Sequence, residues 1–158
     1  MLLLTLLTAC PVVDEEPAVE IGTGELDFES LVEGQELAII EGPQGGFHLL
    51  SAIRTKGVEG GDPQRLDNPN NPTITLDVVH DGDSVIIISP FTQGLDEAPQ
   101  SEAPFTHQMT NRFAILGIDE DDELVGETVV LSVRVDDVNG VTVQDEVTLD
   151  LFPHPDNH

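Results

Sequence analysis

The chain has one cysteine, no tryptophan, no tyrosine, and five basic residues against 31 acidic ones. Each scarcity removes a class of protein. A single cysteine leaves no internal disulfide, no four-cysteine zinc site and no cysteine-held iron–sulfur cluster. The net charge of −26 at pH 7 repels phosphate backbones and anionic headgroups, so no nucleic-acid partner is expected. Without Trp or Tyr, a sugar-binding platform of exposed aromatics is not expected either, and the six Phe are read as core residues. What is present is enough for one packed domain: 39% apolar residues in 158.

Met1 to Ala9 reads MLLLTLLTA, and Cys10 follows. This run is far short of the roughly 20 apolar residues that cross a bilayer. It has the form of the end of a secretion signal, an apolar run leading to small residues and a processing point. Leu7-Thr8-Ala9-Cys10 resembles the bacterial lipobox, although no Lys or Arg precedes the apolar run. In that family the cysteine thiol takes a diacylglycerol and becomes the first residue. The resemblance implies a signal peptide at 1–9, lipid on Cys10, and anchoring to a membrane of the cell envelope, the outer membrane of a Gram-negative bacterium. Residues 10–21 are then the lipidated cysteine and an acidic tether. Pro11–Glu20 carries two prolines and four acids and is expected to stay extended and solvated.

From residue 22 onward, short β-branched runs alternate with Gly, Pro, Asn and Asp, and no helical period is sustained. Strands are predicted at Glu25–Leu31, Glu36–Glu41, Phe47–Lys56, Thr73–His80, Val85–Ser89, Asn111–Ile118, Glu127–Val135 and Val141–Leu151. Val85-Ile86-Ile87-Ile88 has no polar gap and is expected to be covered on both faces. Asp81-Gly82 is a hairpin signal. Asn139-Gly140 is expected as a two-residue turn with positive φ at both positions. Gln144-Asp145-Glu146 interrupts the last strand and suggests a bulge or an exposed stretch. The predicted fold is all-β, an antiparallel two-sheet immunoglobulin-like sandwich of about eight strands over residues 22–153, with a tail at 154–158. A closed barrel is the alternative.

Three segments carry a wider resemblance: Ile21-Gly22-Thr23-Gly24, Leu31 to Leu37 (LVEGQEL), and Gly42 to His48 (GPQGGFH). They resemble lipoproteins of myxobacteria-like organisms that have no assigned activity. Val135 to Gly140 (VDDVNG), with Glu123 to Gly126, resembles the closing hairpin of bacterial immunoglobulin-like domains. The resemblance implies the sandwich and no catalytic residue.

Candidate ligand-binding residues are His48, which follows the Gly-rich turn, together with Arg54 and His107. The amides of Gly45 and Gly46 would approach the same ligand. His107 and Met109 share a face in an extended segment, and with His48 they offer soft donors of the kind copper takes. The acidic turns offer oxygens to calcium: Asp81 and Asp83, Asp119 and Asp121, Asp136 and Asp137. The run 119–123 lacks the glycine of an EF-hand loop, since Leu124 stands there. No serine lies in G-x-S-x-G, and His80 beside Asp81, Asp83 and Ser84 is only a set of turn neighbours. The expectation is therefore a non-enzymatic interaction or structural module of the envelope, with no cofactor and an envelope protein as partner. The alternative is a metal-binding domain, with calcium ahead of copper.

Overall fold

Most of the β-branched runs form strands. The structure, a computed structural model, describes residues 16–43 and 45–157. In chain order the strands are β1 (Ala18–Thr23), β2 (Glu29–Ser30), β3 (Gln35–Glu41), β4 (Phe47–Lys56), β5 (Thr73–His80) and β6 (Asp83–Ser84). They continue with β7 (Phe91–Thr92), β8 (Asp96–Glu97), β9 (His107–Leu116), β10 (Thr128–Asp136) and β11 (Thr142–Pro153). Cys10 and the predicted signal lie outside the described residues.

Hydrogen bonding runs through one mixed sheet that folds into the two layers of an immunoglobulin-like sandwich. One layer is built on β1, β4 and β9; the other is built on β11, β10 and β5. β3 passes between them, pairing with β11 over Gln35–Ile39 and with β4 over Ile39–Glu41. The β3–β11 pair is parallel, unlike the wholly antiparallel expectation. A strand that changes layers keeps its direction, so it runs against β4 and alongside β11.

The opposite edge is closed by Val85–Ile87. Val85 N–H donates to Val78 O at 2.8 Å, Ile87 N–H to Ile115 O at 3.0 Å, and Gly117 N–H to Val85 O at 2.7 Å. This segment therefore bonds first to β5 and then to β9. It is not the doubly covered strand predicted at Val85–Ser89. With no continuous ladder, Val85 and Ile86 still pack against the core, but Ile87 and Ile88 turn outward, 64% and 50% exposed.

Period-two alternation decides what the layers enclose. Ile74, Leu76 and Val78 of β5 face inward, as do Val129, Leu131, Val133 and Val135 of β10. Leu49 and Ile53 of β4 meet them from the other layer, fully buried. Each such side chain contributes about 1.5–3 kcal/mol relative to exposure.

Several local expectations change. β1 begins at Ala18, inside the predicted tether, because its pairing with β4 from Ala18↔Lys56 to Gly22↔Ala52 overrides local composition. Val19 and Ile21 join the core. Glu25–Leu31 is not a strand: only Glu29–Ser30 pairs, Leu26 is exposed, and the edge of the Phe28 ring stands over Gly22. A Cβ at Gly22 would come within 2.6 Å of that ring. β9 starts at His107 rather than Asn111 because a register shift opposite Ser51–Ile53, with Asn111 at φ 53°, carries the strand through polar residues.

The geometry expected of the second hairpin is found at the first. Asp81 and Gly82 both have positive φ, 52° and 90°, which is the turn predicted for Asn139-Gly140. At the second hairpin only Gly140 does, at φ 83°. There Asp137 N–H donates to Val141 O at 2.9 Å and Gly140 N–H to Asp137 O at 3.2 Å. This is a three-residue loop, and the Asp137 carboxylate selects it by accepting the N–H groups of Asn139 and Val141. The register from Val133↔Asp145 to Ser132↔Glu146 is unbroken, so the last strand has no bulge. Asp145 points inward instead and accepts the Ile21 N–H at 2.9 Å, closing the free edge of β1 onto β11.

Two ends of the sandwich follow from this register. The chain enters at one, where Ala18 meets Lys56 and Pro17 lies against Gly57; the loop 57–72 and the hairpin 137–141 share that end, joined by Glu59 N–H to Asp137. The far end carries Gly42 and Gly46, bonded backbone to backbone, the hairpin at Asp81-Gly82 and the acidic run 119–123. The C-terminal tail also docks there, with Asn157 Nδ2 donating to Ile39 O and to Asp121.

Candidate functional site

The three proposed ligand residues do not converge. His48 and Arg54 share the outer face of β4 but stand six positions apart, about 20 Å along a strand. His107 pairs with Thr55, whose side chain is buried, so it faces inward at the entry end. Its ring fills the space over Gly60, where a Cβ would come within 2.4 Å, and Nδ1 lies 3.1 Å from Thr106 Oγ1. Met109 is buried in the core opposite Ile53. The soft-donor set His48, His107 and Met109 is therefore spread over opposite ends and faces.

Arg54 is a structural clamp. Its guanidinium lies between the rings of Phe28, at 4.4 Å, and Phe105, at 4.3 Å. It pairs with Glu20 of β1 at 2.7 Å and with Glu102 of the 3-10 turn Gln100–Glu102. Nε, Nη1 and Nη2 each donate to one of these carboxylates, and the side chain ties β1, the 24–28 segment and the 99–106 loop to β4. Phe91 does the same for Arg112, 4.0 Å from its guanidinium; burial pushes the Arg112 pKa down. Reading the six Phe as core missed these roles. The Phe28–Arg54 and Phe91–Arg112 separations are nonlocal, so no sequence spacing signals them.

The acidic turns divide between the two ends. Asp136 binds Arg134 through two bonds and accepts Thr142 Oγ–H, which hold its carboxyl below the usual range. At Asp137, burial pushes the pKa up, but the amides of Glu59, Val141, Asn139 and Gly140 outweigh it and hold the pKa down. At the far end Glu123 accepts the N–H groups of Glu120 and Asp119, which lower its pKa. Asp121 accepts from Asn157. Asp81 and Asp83 flank the hairpin turn, exposed. His80 Nε2 lies 3.3 Å from Glu127, while Ser84 Oγ–H donates to Asp77, so His80 and Ser84 do not act on one another. Among the described residues, no three His, Cys, Asp or Glu side chains are placed to hold a metal ion.

The feature that does gather on the surface is apolar. On the outer face of the β4–β9 ladder, His48 pairs with Ile115 and Leu50 with Phe113. The rings of His48 and Phe113 meet at 4.2 Å with a 44° tilt, a diagonal cross-strand contact. Gly42, Pro43 and Gly46 wall this pair into a cleft of ≈ 360 Å³ floored by Phe47 and Ile115. Gly45 and Gly46 have φ of 78° and 82° with open space where a Cβ would stand, so the backbone conformation alone calls for glycine. The Gly45 N–H is spent on Gly42 O at 2.9 Å and does not face a ligand. Burial pushes the His48 imidazole below its ordinary pKa. Phe113 remains 47% exposed, and Ile87, bonded to Ile115 O, extends the apolar surface toward Ile88.

No protein-family model and no curated protein sequence matches the chain. Among solved structures, CopC from Methylosinus trichosporium OB3b is similar at 17% identity and a TM-score of 0.34, with the match spanning 80% of this chain and 90% of CopC. A likeness that loose transfers no residue role.

Proposed function

We propose that this chain is a lipid-anchored protein of the cell envelope that acts by binding a partner rather than by catalysis. The observation that carries the reading is the placement of the apolar cleft. It opens at the far end of the sandwich, while the chain enters at the other end through Ala18 paired with Lys56. A lipid on Cys10 would therefore hold the entry end toward the membrane and turn the cleft away from it. The lipobox and the resemblance to lipoproteins of myxobacteria-like bacteria support the same placement.

Expressed in a lipoprotein-competent bacterium, the chain should incorporate a fatty-acid analogue and partition into detergent, and Cys10→Ser should abolish both. Unchanged labelling of Cys10→Ser overturns the anchoring. The metal-binding alternative is separated by a thermal melt with calcium, copper(I) or chelator. A ligand that binds only the folded form raises the midpoint by mass action; an unmoved midpoint favours partner binding over metal binding.

A further inference from the structure

Charge at the far end is one-sided. Asp81, Asp83, Asp119, Glu120, Asp122 and Glu127 are exposed there. None of the five basic residues is present to balance them. Arg54, Lys56 and Arg65 belong to the entry end, Arg134 lies near the 137–141 hairpin, and Arg112 sits at mid-β9. Within this field lies the exposed apolar surface of Phe113, Ile87 and Ile88 beside the His48 cleft. Water-exposed apolar side chains rimmed by polar ones mark docking surfaces, and an acidic rim selects its partner by sign.

Resting on the reading of the chain as a binding module, we propose that this end docks a polypeptide partner that seats a large apolar side chain against Phe113 and His48 and presents Lys or Arg to the surrounding acids. A second copy of this chain would bring a further −26 and the same acids to the contact. An anionic bilayer would be repelled for the same reason. A basic partner gains from the field before contact and from the apolar surface after it. The cleft takes one or two side chains at ≈ 360 Å³, which suits an extended segment rather than a broad globular face.

The test uses the full chain in neutral detergent and short labelled peptides read by fluorescence anisotropy. One peptide carries Leu and Phe flanked by Lys and Arg. The second keeps the apolar residues and replaces the basic ones by Glu. The third keeps the basic residues and replaces Leu and Phe by Ser. The first should bind and the other two should bind at least about tenfold more weakly, the scale of a single interface anchor. Raising salt from about 0.05 M to about 0.5 M, where screening shortens to roughly 4 Å, should weaken the first peptide by a similar factor.

Phe113→Asp and Ile87→Asp should each cost about tenfold, while Leu66→Asp, exposed at the entry end, should change nothing. If Phe113→Asp fails to fold, Ile87→Asp decides, since Ile87 is 64% exposed. Equal binding of the Glu-flanked peptide, equal binding of the Ser-substituted peptide, or no binding of any peptide overturns the proposal. So does a dimer that Ile87→Asp dissolves, or binding to neutral vesicles that outcompetes the peptide. Loss of lipid labelling in the Cys10 experiment leaves these affinities untouched, so failure of the anchoring and failure of the docking site are read separately.

Discussion

Replacing Arg54 by Gln removes a guanidinium that touches four side chains on three separate segments. The two ring contacts, at 4.4 Å to Phe28 and 4.3 Å to Phe105, are each worth about 0.5–1 kcal/mol in a partly covered setting. Glu20 and Glu102 are 29% and 26% exposed at the side chain, and without Arg54 they lose the cation between them. Removing one partner of a half-buried pair costs more than the pair contributed, because the remaining charges stay poorly solvated; roughly 1–2 kcal/mol is expected here. The sum is about 2–4 kcal/mol. In a domain of this size it should lower the melting midpoint by roughly 6–15 °C. Arg134→Gln is the contrast. Its pair with Asp136 has equally good geometry but side chains 51% and 34% exposed, and exposed pairs contribute little, so the midpoint should move by no more than about a degree. Arg54→Lys should recover only part of the loss, since an ammonium cannot lie flat between two rings. Calorimetry of the four proteins decides the matter. If Arg54→Gln melts within about 2 °C of Arg134→Gln, the clamp is not structural, and Arg54 returns as a candidate for ligand binding.

Three further outcomes follow from the turns and the cleft. Gly140→Val places a β-branched residue at φ 83° and should cost about 1–3 kcal/mol, checked by chemical denaturation; a midpoint equal to the wild type would mean the hairpin is built otherwise. Asp137→Ala strands three backbone amides at the entry end and should cost about 1–2 kcal/mol at pH 7. Because the folded-state pKa of Asp137 lies below the unfolded value of about 3.9, its contribution is whole above about pH 4 and is lost as pH falls through the folded value. The gap between wild type and Asp137→Ala should therefore shrink in acid, and a gap constant with pH would contradict the assignment. His48 should titrate below about 6.5 by NMR, since burial disfavours its charged form. Stability from its neutral state is present above that pH and falls as pH drops through the folded value. Phe113→Ala should uncover the ring and move the titration midpoint up, and an unchanged midpoint would show that Phe113 does not cover it.

The sequence alone determined the fold class, because period-two alternation is a local property and the core is built from it. The strands that carry Leu49, Ile53, Ile74, Leu76, Leu131 and Val133 were legible from spacing, and the packing of the two layers decided that these side chains face inward. Also legible were the ends of β4 and β5, bounded by glycine, proline and the Asp81-Gly82 turn. The tertiary structure decided everything that depended on a partner distant in the chain. β1 pairs with β4 despite sitting in a stretch of Pro and Glu, because ladder bonds outweigh local composition. Val85–Ile88 has the composition of a buried strand, yet it crosses between layers and turns two isoleucines to solvent. Asp145 looked like an interruption, and it is the acceptor that closes an edge 124 residues away in sequence. The candidate site divides along the same line. His48 and the glycine turn were visible as residues, because glycine at positive φ is a local demand. Their partners Phe113 and Ile115 were not visible, because only the register of β4 against β9 brings side chains more than 60 positions apart into one cleft. Arg54 shows the converse: an arginine next to a supposed site is drawn away from it by Glu20, Glu102, Phe28 and Phe105, none of which is its sequence neighbour.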